Sequence, residues 1–401
     1  MLEKLRKFYN ASEILNSRFV ERDQEIHGLM LSVLAKTHIL LLGPPGTAKS
    51  QLIMMWSTLI RGAKYFQWLL TKYTTPEEIF GPYSLAALER DEYIRKTAHK
   101  APEAHFIFFD EIWKANSGVL NANLTLINER LFYNGVTPVK VPLLTLVGAS
   151  NELPEEEDNL DAMLDRFLLK YHVKSIVEEQ NFMKMLLTDT TPVEAILSLT
   201  DILELQKATA AVEVPKEMLE LYATLRRDFT TNGLMSSDRT YRNTVEILKA
   251  EALMRYASSF FNKDPESGKM RSEKEFDLED VHVEEDDFEI LRHALWSDPK
   301  NESAVYTTIL AEINPDKNKV VELFDTAREL YEDCMAIKDE SKRINTGVEV
   351  GLKLKEAKKK IHEFFKSMRD KKKDIADIRI MEEKIDVWLV SIYHDACGVT
   401  F

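Results

Sequence analysis

Between residues 38 and 60 an apolar run, His38–Leu42, meets the string Gly43-Pro44-Pro45-Gly46-Thr47-Ala48-Lys49-Ser50 and then an amphipathic stretch, Gln51–Ile60. A strand, a loop of small residues and a helix in that order aim several backbone N–H groups at a single anion. Small side chains let the loop close around a β-phosphate at the positive end of the following helix. Lys49 is then placed to bridge the β- and γ-phosphates, and Ser50 to hold Mg²⁺. Ala48 stands where such loops usually carry a glycine, and it fits at small cost if its backbone is already helical. The same feature constrains the fold, because a strand buried on both faces and feeding a helix is the unit of a parallel sheet.

The pattern around it repeats that unit. Strands are expected at His38–Leu42, Tyr65–Leu70, His105–Phe109, Leu143–Ala149 and Leu168–Val173, with helices between them and over residues 1–37. Thr75-Pro76-Glu77-Glu78 reads as a helix start, with a capping Thr, Pro in the first turn and a Glu to close a capping box. Residues 176–298 switch to helices only. From Pro299 onward Lys and Glu dominate, and two stripes stand at helical spacing, Val320, Phe324, Ala327 and Tyr331, then Val350, Leu354, Ala357, Ile361, Phe364 and Met368. Thr346-Gly347 is the expected break of a helical hairpin, with a third helix over Ile378–Tyr393 packing on it. The expected domains are therefore 1–175, 176–298 and 299–401.

Phe106-Ile107-Phe108-Phe109-Asp110-Glu111 is an apolar strand ending in two carboxylates, at the edge where parallel sheets bind ligands. Asp110 suits the Mg²⁺ shell. Glu111 can orient and deprotonate an attacking water, the requirement of phosphoryl transfer from ATP to water. Charge narrows the partners. With 53 Lys and Arg against 67 Asp and Glu the chain carries −14, which disfavours a phosphate backbone as general partner. Residues 353–374 run the other way, with ten Lys and Arg against four Asp and Glu; a solvated helical face accounts for them, and an acidic partner is the sharper reading. Cys334 and Cys397, the two cysteines, form no CxxC pair, so a disulfide framework or zinc site is not expected. The charged N-terminus and the absence of a run of roughly 20 apolar residues lead us to expect a soluble, cytoplasmic protein without a membrane span.

The strings LLGPPGTAKS, TPEEIFGPYSL, FFDEIWKA, LINERLFYNG, ASNELP, LDRF and SDR, in this order over about residues 12–298, resemble the MoxR family of AAA+ ATPases, and within it the RavA (regulatory ATPase variant A) type. The resemblance implies an αβα nucleotide-binding core on a five-stranded parallel sheet, a helical lid, an insertion at about 76–103 and a β-hairpin at about 131–142. It implies that Asn151 contacts the γ-phosphate and positions the water. It makes Arg166 an arginine finger that completes a neighbouring subunit's site, and Arg239 the lid arginine that senses nucleotide. Arg130 is a further charged neighbour of the site, and Glu21-Arg22-Asp23 lies near the adenine. A finger acting in trans implies a homo-hexameric ring. The family also implies a von Willebrand factor A domain partner and chaperone-like remodelling of a client that the sequence does not name. The small β-rich insertion of the RavA type has no counterpart in residues 300–395.

Two other functions stay open on sequence alone. A helicase-like motor shares the hairpin, although LFYNGVTPVKVP holds a single cation, Lys140. A nucleotide-regulated scaffold hydrolysing slowly is the other, against which Glu111, Asn151 and Arg166 weigh. Asn262-Lys263-Asp264-Pro265 departs from a guanine-specificity motif by one place and is better read as a loop. Trp68, Trp113, Trp296 and Trp388 sit in apolar surroundings and read as core.

Overall fold

The computed structural model of the chain describes residues 1–153, 161–188, 191–262, 271–370 and 376–396. Lys263, Asp264, Pro265, Lys371–Lys373 and Cys397, which entered the sequence reading, lie outside them. The packing forms two units, Met1–Thr224 with Thr230–Glu302, and Leu225–Phe229 with Ser303–Phe401.

In the first unit five parallel strands, β1 (His38–Leu42), β2 (Tyr65–Leu69), β3 (Phe106–Asp110), β4 (Thr145–Ser150) and β5 (Phe167–His172), form one sheet in the order β2-β3-β4-β1-β5. Ile39–Leu41, Phe106–Phe109, Leu146 and Val147 are fully buried, as the uninterrupted apolar runs require of a sheet covered on both faces. Helices α1 (Leu2–Arg18), α2 (Asp23–Leu34), α3 (Lys49–Thr58) and α4 (Ser117–Glu129) supply the cover. Phe8, Trp56 and Phe106 pack edge to face, joining α1, α3 and β3. The chain is thus an αβα sandwich followed by a helical lid, in which α5 (Leu199–Ala211), the helix Lys216–Thr231 and α6 (Asp238–Ser258) are the long elements, and a helical arm.

Parallel register brings three strand ends together. Leu40 and Phe109 both stand opposite Gly148 of β4, so Gly43, Asp110 and Asn151 emerge at one edge of the sheet. Chain order runs from β1 to the far strand β2, back through β3 and β4, and only then to β5 beyond β1. A crevice opens at such a reversal, outside the carboxyl ends of the strands.

One local expectation meets a difference and another is met. The segment 176–298 is not purely helical, because Leu197–Ser198 pairs in parallel with Ile60–Arg61. The Leu59 carbonyl accepts the N–H groups of both Ile196 and Leu197 and so starts that short ladder. The Thr75 start holds, with the Glu78 carboxylate accepting the Thr75 N–H at 2.8 Å.

The second unit is built on α7 (Pro315–Ala336), α8 (Glu340–Asp370) and α9 (Ala376–Ser391). Both sequence stripes face its core, where Val320, Ala327, Leu354, Ile361, Met368 and Ile385 are buried and Trp388 stacks on Phe324 and Tyr331. The hairpin does not break at Thr346-Gly347. It turns at Ile337–Asp339, and Asp339 accepts the Lys342 and Arg343 N–H groups that open α8. One glycine costs a helix only about 1 kcal/mol, less than the packing of Val350 and Leu354 contributes. Beyond Glu302 every regular element among the described residues is helical.

Candidate active site

Gly43–Ser50 links β1 to α3. A side chain on Gly43 would lie 2.0 Å from the Val173 carbonyl, and Gly46 has φ +80°, so glycine at these two positions lets the loop turn. The first N–H groups of α3, from Lys49 and Ser50 onward, point out of the helix end into the loop. The Lys49 ammonium lies within the turn, donating to the carbonyls of Gly43 and Pro44 at 2.8 Å each. Burial pushes it below the usual lysine range, while the carboxylates of Asp110 and Glu111 pull it back up. The two acids and the lysine therefore feel one another.

Ala48 corrects an expectation. Its backbone is left-handed, φ +63° and ψ 18°, not helical. An L-residue there costs about 1–2 kcal/mol, which explains why a glycine is the usual occupant. Glu111 is also left-handed, φ 52° and ψ 48°. The turn at Asp110-Glu111 directs the Glu111 carboxylate along the sheet edge, where Oε1 accepts the Asn151 amide at 3.2 Å and Oε2 pairs with Lys114 at 3.2 Å. Lys114 was not singled out from sequence. Its spacing of three residues from Glu111 was the available signal.

Arg22 is buried and ties three segments together, donating to the carbonyls of Glu21 at 2.6 Å, Lys174 at 2.7 Å and Thr47 at 3.5 Å. It lines a small pocket with Phe19, Glu25, Leu41, Ala48, Lys49 and Val173, a slot beside the loop whose walls carry two cations and one carboxylate among apolar side chains. Glu21 turns outward, its carboxylate accepting the N–H groups of Val177 and Glu178 and the Asn181 amide. Those bonds fix the start of the helix Glu179–Leu186, none of whose residues is buried.

Arg130 lies elsewhere. Its guanidinium donates to the carbonyls of Lys36, Leu143 and Leu144, which precede β1 and β4, so it sits at the sheet edge opposite the loop. Parallel strands put starts and ends at opposite edges, and this half-buried arginine ties two strand starts together. Arg166 and Arg239 also stand apart from the loop pocket. Together with Arg242, Asn128 and Asn243 they line a cavity of about 600 Å³.

For the metal the donor set fits. Ser50 and Asp110 offer a hydroxyl and a carboxylate oxygen, the hard ligands that Mg²⁺ takes alongside phosphate and water. No described helix is long and apolar enough to cross a membrane.

Residues 4–207 match the family bpMoxR, described as the MoxR domain in the MoxR-vWA-beta-propeller ternary systems. Two uncharacterized proteins of Methanocaldococcus jannaschii are 35% and 33% identical, over 86% and 88% of this chain and 83% and 88% of theirs. The chaperone MoxR1 of Mycobacterium tuberculosis is 30% identical over 48% of this chain and 51% of its own. Among solved structures, a candidate ATPase of Cytophaga hutchinsonii superposes with a TM-score of 0.59 over 78% of this chain and 96% of its own, at 19% identity, a likeness of fold.

Proposed function

Because the chain belongs to the MoxR family of AAA+ ATPases, we propose that it hydrolyses ATP as a ring, a hexamer, and couples the cycle to remodelling of a protein complex with a von Willebrand factor A domain partner. The supporting observation is the convergence at one sheet edge of the Gly43–Ser50 loop, the Asp110 and Glu111 carboxylates that act on Lys49, and Asn151 hydrogen-bonded to Glu111. The partner rests on the family description, and the RavA-type kinship on the motif strings alone. The working division is 1–175 core, 176–298 lid and 299–401 arm, in the cytoplasm.

In this reading the loop N–H groups and Lys49 bind the β- and γ-phosphates, the ammonium exchanging the Gly43 and Pro44 carbonyls for phosphate oxygens. Ser50 and Asp110 hold Mg²⁺, which when bound supplies charge neutralisation to the phosphates. Glu111 takes a proton from the attacking water, and Asn151 holds that carboxylate and the water in line. Arg166 of one protomer offers its guanidinium to the nucleotide of the next, and Arg239 reports nucleotide to the lid. The exposed apolar side chains of Phe182, Met183, Leu186 and Leu187 support assembly, since such a patch calls for a covering surface.

Glu111→Gln should bind ATP and stop turnover, and Lys49→Ala should lose nucleotide binding. A Glu111→Gln protein that hydrolyses ATP at the wild-type rate would falsify the assigned base. A pull-down with that variant and ATP tests for the von Willebrand factor A partner.

A further inference from the structure

Asp165 joins two arginines that the proposed mechanism sends to different places. One oxygen of its carboxylate lies 3.1 Å from Arg166 and 3.7 Å from Arg239. The other accepts the hydroxyls of Ser237 at 3.0 Å and Thr240 at 2.9 Å. Ser237 is the N-cap of α6, its hydroxyl also accepting the Thr240 N–H. One anion, two residues before β5, thus bolts that segment to the first turn of a lid helix and holds both cations on one oxygen.

The two cations are held unequally. Arg166 has 15% of its side chain exposed, and its buried Nε has no hydrogen-bond partner among the described residues. Arg239 is 56% exposed at the longer distance, where water screens the pair. A polyphosphate carries more charge than one carboxylate and would draw Arg239 away first. The shared oxygen would then serve Arg166 alone.

We infer that Asp165 is a positioning residue: it holds Arg166 and Arg239 in competition for one carboxylate, so that withdrawal of Arg239 toward bound nucleotide sets the direction of Arg166. The inference rests on the ATPase reading above and adds a route by which one site reports to the next.

Asp165→Asn tests it, since the amide oxygen still accepts from Ser237 and Thr240 while the charge is lost. We expect ATP affinity within about twofold of wild type and kcat lowered about tenfold or more, the cost of a misdirected group. Asp165→Glu, which restores the charge, should recover part of that loss. In a double-mutant cycle with Arg239→Gln, the combined loss should be smaller than the product of the single losses. A wild-type kcat for Asp165→Asn overturns the inference, as do multiplicative losses in the cycle, or no recovery in Asp165→Glu. Should Asp165→Asn fail to fold, Asp165→Ser, whose hydroxyl can still accept a hydrogen bond without the charge, is assayed in its place: a kcat lowered about tenfold or more at near-normal ATP affinity supports the inference, and a wild-type kcat overturns it. Glu111→Gln is run alongside. If it too hydrolyses ATP, the ATPase reading itself fails; if it is inert while Asp165→Asn is normal, only the positioning role fails.

Discussion

Ala48 is the residue at which a small change should reveal the backbone of the loop. Ala48→Gly removes left-handed strain, partly offset by the greater freedom glycine has when unfolded, so stability should rise by up to about 1 kcal/mol. The midpoint of denaturant unfolding reads this, and an unchanged or lower midpoint speaks against the strain. Lys170 on β5 offers a second test. It is buried, and its ammonium donates to the carbonyls of Ala294 and Trp296 at 3.1 and 2.8 Å. Burial pushes its pKa from 10.5 down to about 8, with Asp165 pulling the other way. Between those values the folded chain binds fewer protons than the unfolded one, so stability rises with pH across that window. Wild type should therefore gain stability over Lys170→Met between about pH 8 and pH 10.5. A flat or falling difference would show the amine to be hydrated.

Among the elements, the hairpin Leu131–Asn134 with Thr137–Lys140 is joined to the segment between β2 and β3 by the stacked rings of Phe132 and Phe80 and by the side chain of Asn134. Asn134 accepts the Arg95 N–H at 2.7 Å and donates to the Arg95 carbonyl at 3.1 Å, as a neighbouring strand would. Asn134→Ala should speed hydrogen exchange at the Arg95 amide while lowering global stability by no more than about 1–2 kcal/mol. Unaltered exchange would mean the clasp is not what holds these segments. The hairpin, with Gly135 at its turn (φ +68°), was expected through the family resemblance. Its tie to Arg95 was not, since nothing in either segment names the other.

For the whole molecule, the proposed finger makes assembly part of the catalyst. Arg166→Ala should keep ATP affinity and lose about 10³-fold in turnover. Mixing it with Glu111→Gln should restore part of the activity, because the second protein lends an intact Arg166 to the first protein's intact Glu111. Two inactive proteins that stay inactive when mixed would argue that Arg166 serves its own chain.

Periodicity and local spacing determined the five strands of the main sheet, the Gly43–Ser50 turn, and the two carboxylates that close β3, since each depends on neighbours a few residues away. Tertiary structure decided what depended on distant chain. Arg130 went to the strand starts because carbonyls of Lys36, Leu143 and Leu144 collect there, and Arg22 went to the loop because Lys174 and Thr47 meet at it. Ala48 took a left-handed backbone because the closing of a turn between β1 and α3 outweighed its own preference. Asp165 could become a hub only once α6 had docked beside β5, a pairing across some seventy residues that no local pattern records.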